Sequence, residues 1–404
     1  MNDEFFAPPL KSATKSGMMI ASHVIKGRRN DGNRKVAWVT SGAPVELLRA
    51  LDFYTFYPEN HGAMCGAARE SQAISMEAEN RGYSTDICSY ARTDIGSMLS
   101  GKTPLKTIPK PDVLVACTNI CQTVIHWYRV LAHHFNVPLI LIDAPFLYDK
   151  AAEHTLAYVQ RQLEECVPQL ENIAGKALDM KKFRDVTVLS RKASQLWMEI
   201  LDRCQHQPAP ISAFDQFILM APIVSLRGEE ATANLYEEML AEVDERIANG
   251  VGAVRNERKR LLWDNLPIWY ELKYLAEFLG SRGVVLAAST YTSAWGELAG
   301  MFDPETPFES AARTYLHPIL NRSTGDKLKT MLRVTKDYRL DGVLLHSDRS
   351  CKPYSIGQMD QRDRLVNEYN IPALLIEADH NDPRAFSKEQ VTTRLEAFCE
   401  ILGV

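Results

Sequence analysis

None of the eight cysteines forms a Cys-x-x-Cys pair, which removes zinc ribbons, thioredoxin-type motifs and ferredoxin runs from consideration. No apolar run approaches the roughly 18–20 residues that a membrane span requires. The polar N-terminus carries no signal-peptide core, so the expected location is the cytoplasm. A glycine-rich phosphate loop of Walker type is also missing. Positive charge is short as well: 46 Lys and Arg face 51 Asp and Glu, a net of −5. That balance gives no electrostatic case for nucleic acid or an anionic membrane.

What is there suits a globular protein. A chain of 404 residues can hold two domains with separate cores. Its 46% hydrophobic and 24% charged content is ordinary. The most informative stretch runs from Asp341 to Gln358. Val343 to Leu345 reads as a buried parallel strand, broken by His346 to Pro353. A helix pattern then runs from about Ser355 to Tyr369. Cys351 therefore sits in a loop between strand and helix, at the edge where open α/β sheets bind ligands. A helix N-terminus there favours a thiolate.

Pro111 to Cys121, with a helix through Phe135, repeats this layout. Both copies continue through a proline into a strand that ends in an acid, Asp143 in the first and Asp379 in the second. The reading is a weak internal repeat of one βαβ unit, with a cysteine at the same structural point in each.

Residues 1–33 read as an arm plus a helix. Residues 34–149 read as a first α/β domain holding Cys88 and Cys121. Within it lie a strand ending at Thr40-Ser-Gly-Ala-Pro44, a second closing on Pro58-Glu-Asn-His61, and a helix from about Met64 to Arg81. Thr85 or Asp86 is placed to cap a helix beginning near Cys88. Residues 150–282 show apolar spacings of three and four and read as a helical cap. Residues 283–404 read as a second α/β domain holding Cys351, starting with a strand at Val284 to Ser289. Its last helix has Ser387 as N-cap with Gln390 three residues on. The fold class is α/β, with two open parallel-sheet domains of flavodoxin or Rossmann type and a helical insertion.

Cys88, Cys121 and Cys351 fall at loop-to-helix junctions. The other five cysteines fall inside strands or helices, where free cysteine packs as a small hydrophobe; Cys117, in the strand Val113 to Cys117, belongs with them. Three thiolates from three loops cannot close a four-ligand zinc site. They can hold a [4Fe–4S] cluster with one iron open, although core cysteines would satisfy the same spacing.

Several motifs carry a family resemblance: Gly82-Tyr-Ser-Thr-Asp-Ile-Cys-Ser-Tyr-Ala-Arg-Thr93, Asn119-Ile-Cys-Gln122 with Trp127-Tyr128, and Arg349-Ser-Cys-Lys352. Tyr57-Pro-Glu-Asn60, Pro138 to Asp143 and Asp382-Pro-Arg-Ala-Phe386 continue it. From about residue 35 to 402 the chain resembles the 2-hydroxyacyl-CoA dehydratase family, which includes subunits of ATP-dependent benzoyl-CoA reductases. The likeness is greatest to the active-site (alpha) subunit of the dehydratases. The resemblance implies one [4Fe–4S] cluster on Cys88, Cys121 and Cys351. It also places Ser41 and Glu59 beside the substrate. From the residues alone, Ser41 could equally be a turn or capping hydroxyl, and Glu59 a helix N-terminal carboxylate. His61 and His346 border the same crevice and read as hydrogen-bonding residues.

The implied reaction removes water from an (R)-2-hydroxyacyl-CoA thioester to give an enoyl-CoA through a ketyl radical. Implied partners are a homologous second subunit and an ATP-hydrolysing iron–sulfur activator. Two alternatives stand beside this. One is the active-site subunit of a benzoyl-CoA reductase, and the other is a non-catalytic electron-transfer protein on the same fold.

Overall fold

Short apolar runs build two sheets with the same strand order. The computed structural model describes residues 4–29, 32 and 34–404. In the first sheet β1 (Val36–Val39), β2 (Tyr54–Phe56), β3 (Val113–Cys117) and β4 (Leu139–Ile142) lie in the order β2-β1-β3-β4. In the second, β5 (Lys259–Asp264), β6 (Val284–Ser289), β7 (Gly342–Asp348) and β8 (Ala373–Ala378) lie in the order β6-β5-β7-β8. All the pairings are parallel. Parallel strands are covered on both faces, so their sequences are continuously apolar rather than alternating. β1, β3 and β6 are buried along their whole length. In each sheet the strand order reverses direction between the two central strands, and the crevice beyond their carboxyl ends is where such sheets take ligands.

The expected α/β class is what the chain adopts, with helices filling most of residues 153–248. The internal repeat extends further than the cysteine-bearing units, because β1 and β5 hold corresponding places in the two sheets. One expectation needs correction here. β5 lies inside the stretch read as helical and belongs to the second sheet. Its sequence opens Lys259-Arg260, yet Arg260 is buried, donating to the carbonyls of Tyr338 and Cys204 and to Glu257. A strand that buries a guanidinium this way carries no apolar signature at its start.

Local boundaries differ too. The helix expected from Met64 to Arg81 is two helices, Pro58–Ala67 and Ser71–Glu79, parted where Arg69 takes a left-handed φ of 60°. The helix expected from Ser355 divides into Lys352–Ser355 and Gln358–Asn367. Neither Thr85 nor Asp86 caps the helix Ser89–Ser100; its N-cap is Cys88, with no side-chain capping bond. Ser387 does cap Lys388–Leu402, accepting from the Gln390 N–H at 3.4 Å.

The N-terminal arm contains the helix Lys11–Arg28, while residues 1–3, 30, 31 and 33 lie outside the described residues. Its first turn is tied to the helix Glu230–Ala248: Glu242 accepts from the Lys11 and Ser12 N–H groups at 2.6 and 2.8 Å. Among the described residues no helix is long and apolar enough to cross a membrane.

Beyond β5 the chain turns back at Asn265, with φ of 87°. Its amide donates to the His346 carbonyl at 2.7 Å, and its side-chain oxygen accepts from the Leu266 N–H at 2.7 Å. Asparagine tolerates this backbone region better than most residues.

The helix Ser89–Ser100 is set against Ser71–Glu79 through Gly96. A Cβ at Gly96 would stand 2.0 Å from the Ile74 carbonyl oxygen. Gly96→Ala should therefore push the two helices apart and cost ~1–3 kcal/mol, the usual range for overpacking. Urea unfolding of the variant against the parent measures it.

Candidate functional site

The two sheets direct their loops into one cavity of about 320 Å³. Ser41 reaches it from the turn after β1, and Glu59 from the first turn of the helix Pro58–Ala67 after β2. Cys121 arrives as N-cap of Gln122–Phe135 after β3, and Cys351 as N-cap of Lys352–Ser355 after β7. Cys88 joins them from the start of Ser89–Ser100. These three cysteines are free and partly exposed, whereas Cys65, Cys117, Cys166, Cys204 and Cys399 are free and buried.

Burial pushes the Cys121 thiol up to about 12, with the neighbouring Cys88 adding to the effect. Burial also pushes the Cys351 thiol well above its usual range, helped by Asp348, Cys88 and Cys121.

Ser41 and Glu59 form a pair. The Ser41 hydroxyl donates to Glu59 Oε1 at 3.1 Å, and its N–H reaches both carboxylate oxygens at 3.2 and 3.3 Å. Burial raises the Glu59 carboxyl to about 7, against the pull of those Ser41 bonds. The loop that carries Ser41 is held from behind by Asn119, whose amide donates to the Gly42 carbonyl at 3.0 Å and to the Tyr315 carbonyl at 2.7 Å. A Cβ at Gly42 would meet the Asn119 side chain at 2.5 Å, so only glycine permits this approach.

The two histidines read as bordering the crevice do not line it. His61 is buried against Asp94 and Thr103, at 3.2 and 3.0 Å. His346 lies within β7, donating from Nδ1 to the Leu266 carbonyl at 2.7 Å.

Behind the cysteines lies a buried acidic network, of which the sequence reading singles out only Asp379, as the acid after a strand. Asp348 ends β7, and its Oδ1 accepts from the Ser350 and Cys351 N–H groups at 3.1 and 3.2 Å. Its Oδ2 accepts from His380 Nδ1 at 2.7 Å. His380 lines the cavity, with Nε2 2.9 Å from the Ser89 hydroxyl and 4.0 Å from the Cys88 sulfur. Asp379 accepts from the Ser89 and Ser350 hydroxyls, both at 2.5 Å, and from the Asn381 and Asp382 N–H groups. Asp348, Asp379 and His380 stand close enough to share an ion, but their oxygens are already taken up by these donors. The available sequence signal is positional: an acid closes both β7 and β8.

Residues 40–402 match the family model for the 2-hydroxyglutaryl-CoA dehydratase D-component. The (R)-2-hydroxyisocaproyl-CoA dehydratase alpha subunit of Clostridioides difficile is 32% identical, over 93% of this chain and 92% of its own. The (R)-phenyllactyl-CoA dehydratase alpha subunit of Clostridium sporogenes is 31% identical, over 91% and 89%. A benzoyl-CoA reductase subunit of Thauera aromatica is 28% identical, over 97% and 94%. The match runs from the turn that holds Ser41 to the last helix, so this chain belongs to the family of 2-hydroxyacyl-CoA dehydratase and benzoyl-CoA reductase subunits.

Proposed function

We propose that this chain is the active-site subunit of a dehydratase that converts an (R)-2-hydroxyacyl-CoA to the enoyl-CoA. Cys88, Cys121 and Cys351 would hold a [4Fe–4S] cluster with one open iron. The observation that carries this reading is the meeting of three thiols from three loops in one cavity beside the Ser41–Glu59 pair. When bound, the cluster supplies one-electron and Lewis-acid chemistry.

The rest of the work falls to side chains. Ser41 would orient the thioester carbonyl or the 2-hydroxyl by hydrogen bonding. Glu59 would give its proton to the departing hydroxyl, which leaves as water. The resulting carboxylate would then take the proton from C3, which restores the acid. One proton leaves with the hydroxyl and one is recovered from carbon, so the group ends as it began. A carboxyl raised to about 7 populates both forms near neutral pH, which is what such a relay needs. The apolar walls keep bulk water from the reacting carbons.

The relatives are named as subunits, and this chain is taken to act with a homologous second subunit and an ATP-driven iron–sulfur activator. A reductase of aryl-CoA thioesters is the second reading, favoured by the relative from Thauera aromatica and by the aromatic side chains around the cavity. An anaerobic assay with activator, ATP and both thioester classes separates the two. Net reduction of an aryl-CoA would select the reductase. Robust turnover by this chain alone, without ATP, would contradict both.

Anaerobically purified protein should contain about four irons per chain. Cys88→Ala, Cys121→Ala and Cys351→Ala should each lose the cluster, and full iron in any one of them removes that residue as a ligand.

Ser41→Ala and Glu59→Gln should keep their iron while turnover per cluster falls by about 10²–10⁴. Near-parental rates per iron would take both residues out of the site. Glu59 also makes a pH prediction in the cluster-free protein. Its carboxyl is raised from 4.5 to about 7, so the stability it contributes is complete below pH 4.5 and lost as pH rises through 7. Glu59→Gln should remove that dependence, worth up to ~3 kcal/mol, as read from urea midpoints across the pH range.

A further inference from the structure

The lining of the cavity bears on which acyl groups fit, an argument that rests on the reading of the site as an acyl-CoA site. Tyr90, Trp127, Phe217, Trp269, Tyr291 and Trp295 are among its lining side chains. The remaining wall is chiefly aliphatic. Among the described residues no lysine or arginine lines it.

Cations behind the wall are committed to other partners. The Arg227 guanidinium lies 4.6 Å from the centre of the Trp295 ring. Its nitrogens donate to Glu46 at 2.9 Å, the Ile223 carbonyl at 3.2 Å and the Tyr315 hydroxyl at 2.6 Å. Lys327 stands behind Tyr354 with its ammonium on the Pro353 carbonyl at 2.7 Å. His380 is held between Asp348 and Ser89. Several polar groups of the wall are paired as well. The Asn60 amide donates to the Ser225 hydroxyl at 3.0 Å, and the Trp269 N–H donates to the Tyr90 hydroxyl.

A second carboxylate on the acyl chain would therefore be buried near Glu59 with no counter-charge. Burying an unpaired charge is among the costliest changes a site can impose. An apolar side chain meets the opposite situation, since each methylene it buries is favourable.

We infer that the cavity selects 2-hydroxyacyl groups with a bulky, uncharged side chain, aryl or branched alkyl, and rejects acyl groups ending in a carboxylate. The 2-hydroxyglutaryl group in the family's description belongs to the rejected class.

The test uses unreactive thioesters without the 2-hydroxyl, so that binding is read apart from turnover. The probes are propanoyl-CoA, 4-methylpentanoyl-CoA, 3-phenylpropanoyl-CoA and glutaryl-CoA. Trp127, Trp269 and Trp295 line the cavity, so tryptophan fluorescence reports occupancy, checked by calorimetry. The two bulky thioesters should bind about tenfold or more tighter than propanoyl-CoA. Glutaryl-CoA should bind about 10²-fold more weakly than 4-methylpentanoyl-CoA, its near match in size. Ala221→Trp, which fills part of the cavity, should weaken 3-phenylpropanoyl-CoA and spare propanoyl-CoA. Equal affinities across the series, or glutaryl-CoA matching 4-methylpentanoyl-CoA, would overturn the inference. Unchanged affinity in Ala221→Trp would do so too. Apolar selectivity without turnover of the (R)-2-hydroxy counterparts in the complete system would instead refute the dehydratase reading and leave the apolar acyl site standing.

Discussion

The site depends on one buried carboxylate. Asp379 accepts from Ser89, beside Cys88, and from Ser350, beside Cys351, each at 2.5 Å. Those serines are 261 residues apart in sequence, and this contact fixes the loops that carry the two cysteines. Burial alone would raise the Asp379 carboxyl. The adjoining His380 charge, the two hydroxyls and the Asn381 N–H overcome that cost and hold it at about 2. A carboxylate so fully bonded gives rigidity that neither sheet could give alone, because the bonds cross from one half of the chain to the other.

Around that anchor the chemistry is laid out by topology. Both sheets open at their carboxyl edges, and the cavity gathers loops from both. The apolar wall has two effects on the polar groups at its edge. It pushes Glu59 toward neutrality, and it leaves Ser41 as the main hydrogen-bond partner of that carboxyl. A surface glutamate would give up its proton at far lower pH, so the side chain's usefulness comes from where the fold keeps it.

Much of this is legible in the chain. Val113 to Cys117 and Val284 to Ser289 read as buried strands because parallel strands need apolar residues on both faces. The three cysteines stand out by falling between elements rather than within them. What stays hidden is polar and buried. Lys259–Asp264 passes for helix because it opens on Lys259 and Arg260, the latter buried through carbonyls far away in sequence. Asp379 shows in the sequence only as the acid after a strand. Its bonding to the serines, and that of Asp348 to His380, stays hidden for the same reason: the partners come from loops that only the folded chain brings together. Periodicity reports which face is apolar, and it says nothing about a buried polar group whose partners are remote.

Asn265 gives the duplicated scaffold its asymmetry. It directly follows β5, in the place Thr40 holds after β1, and it folds back on His346 and Leu266. The turn after β1 enters the cavity with Ser41, while the turn after β5 is tied back to β7. The two halves thus contribute differently to one cavity, the first through Ser41, Glu59, Cys88 and Cys121 and the second through Cys351 and His380. Mutations at matching positions of the two halves should therefore not be interchangeable in effect.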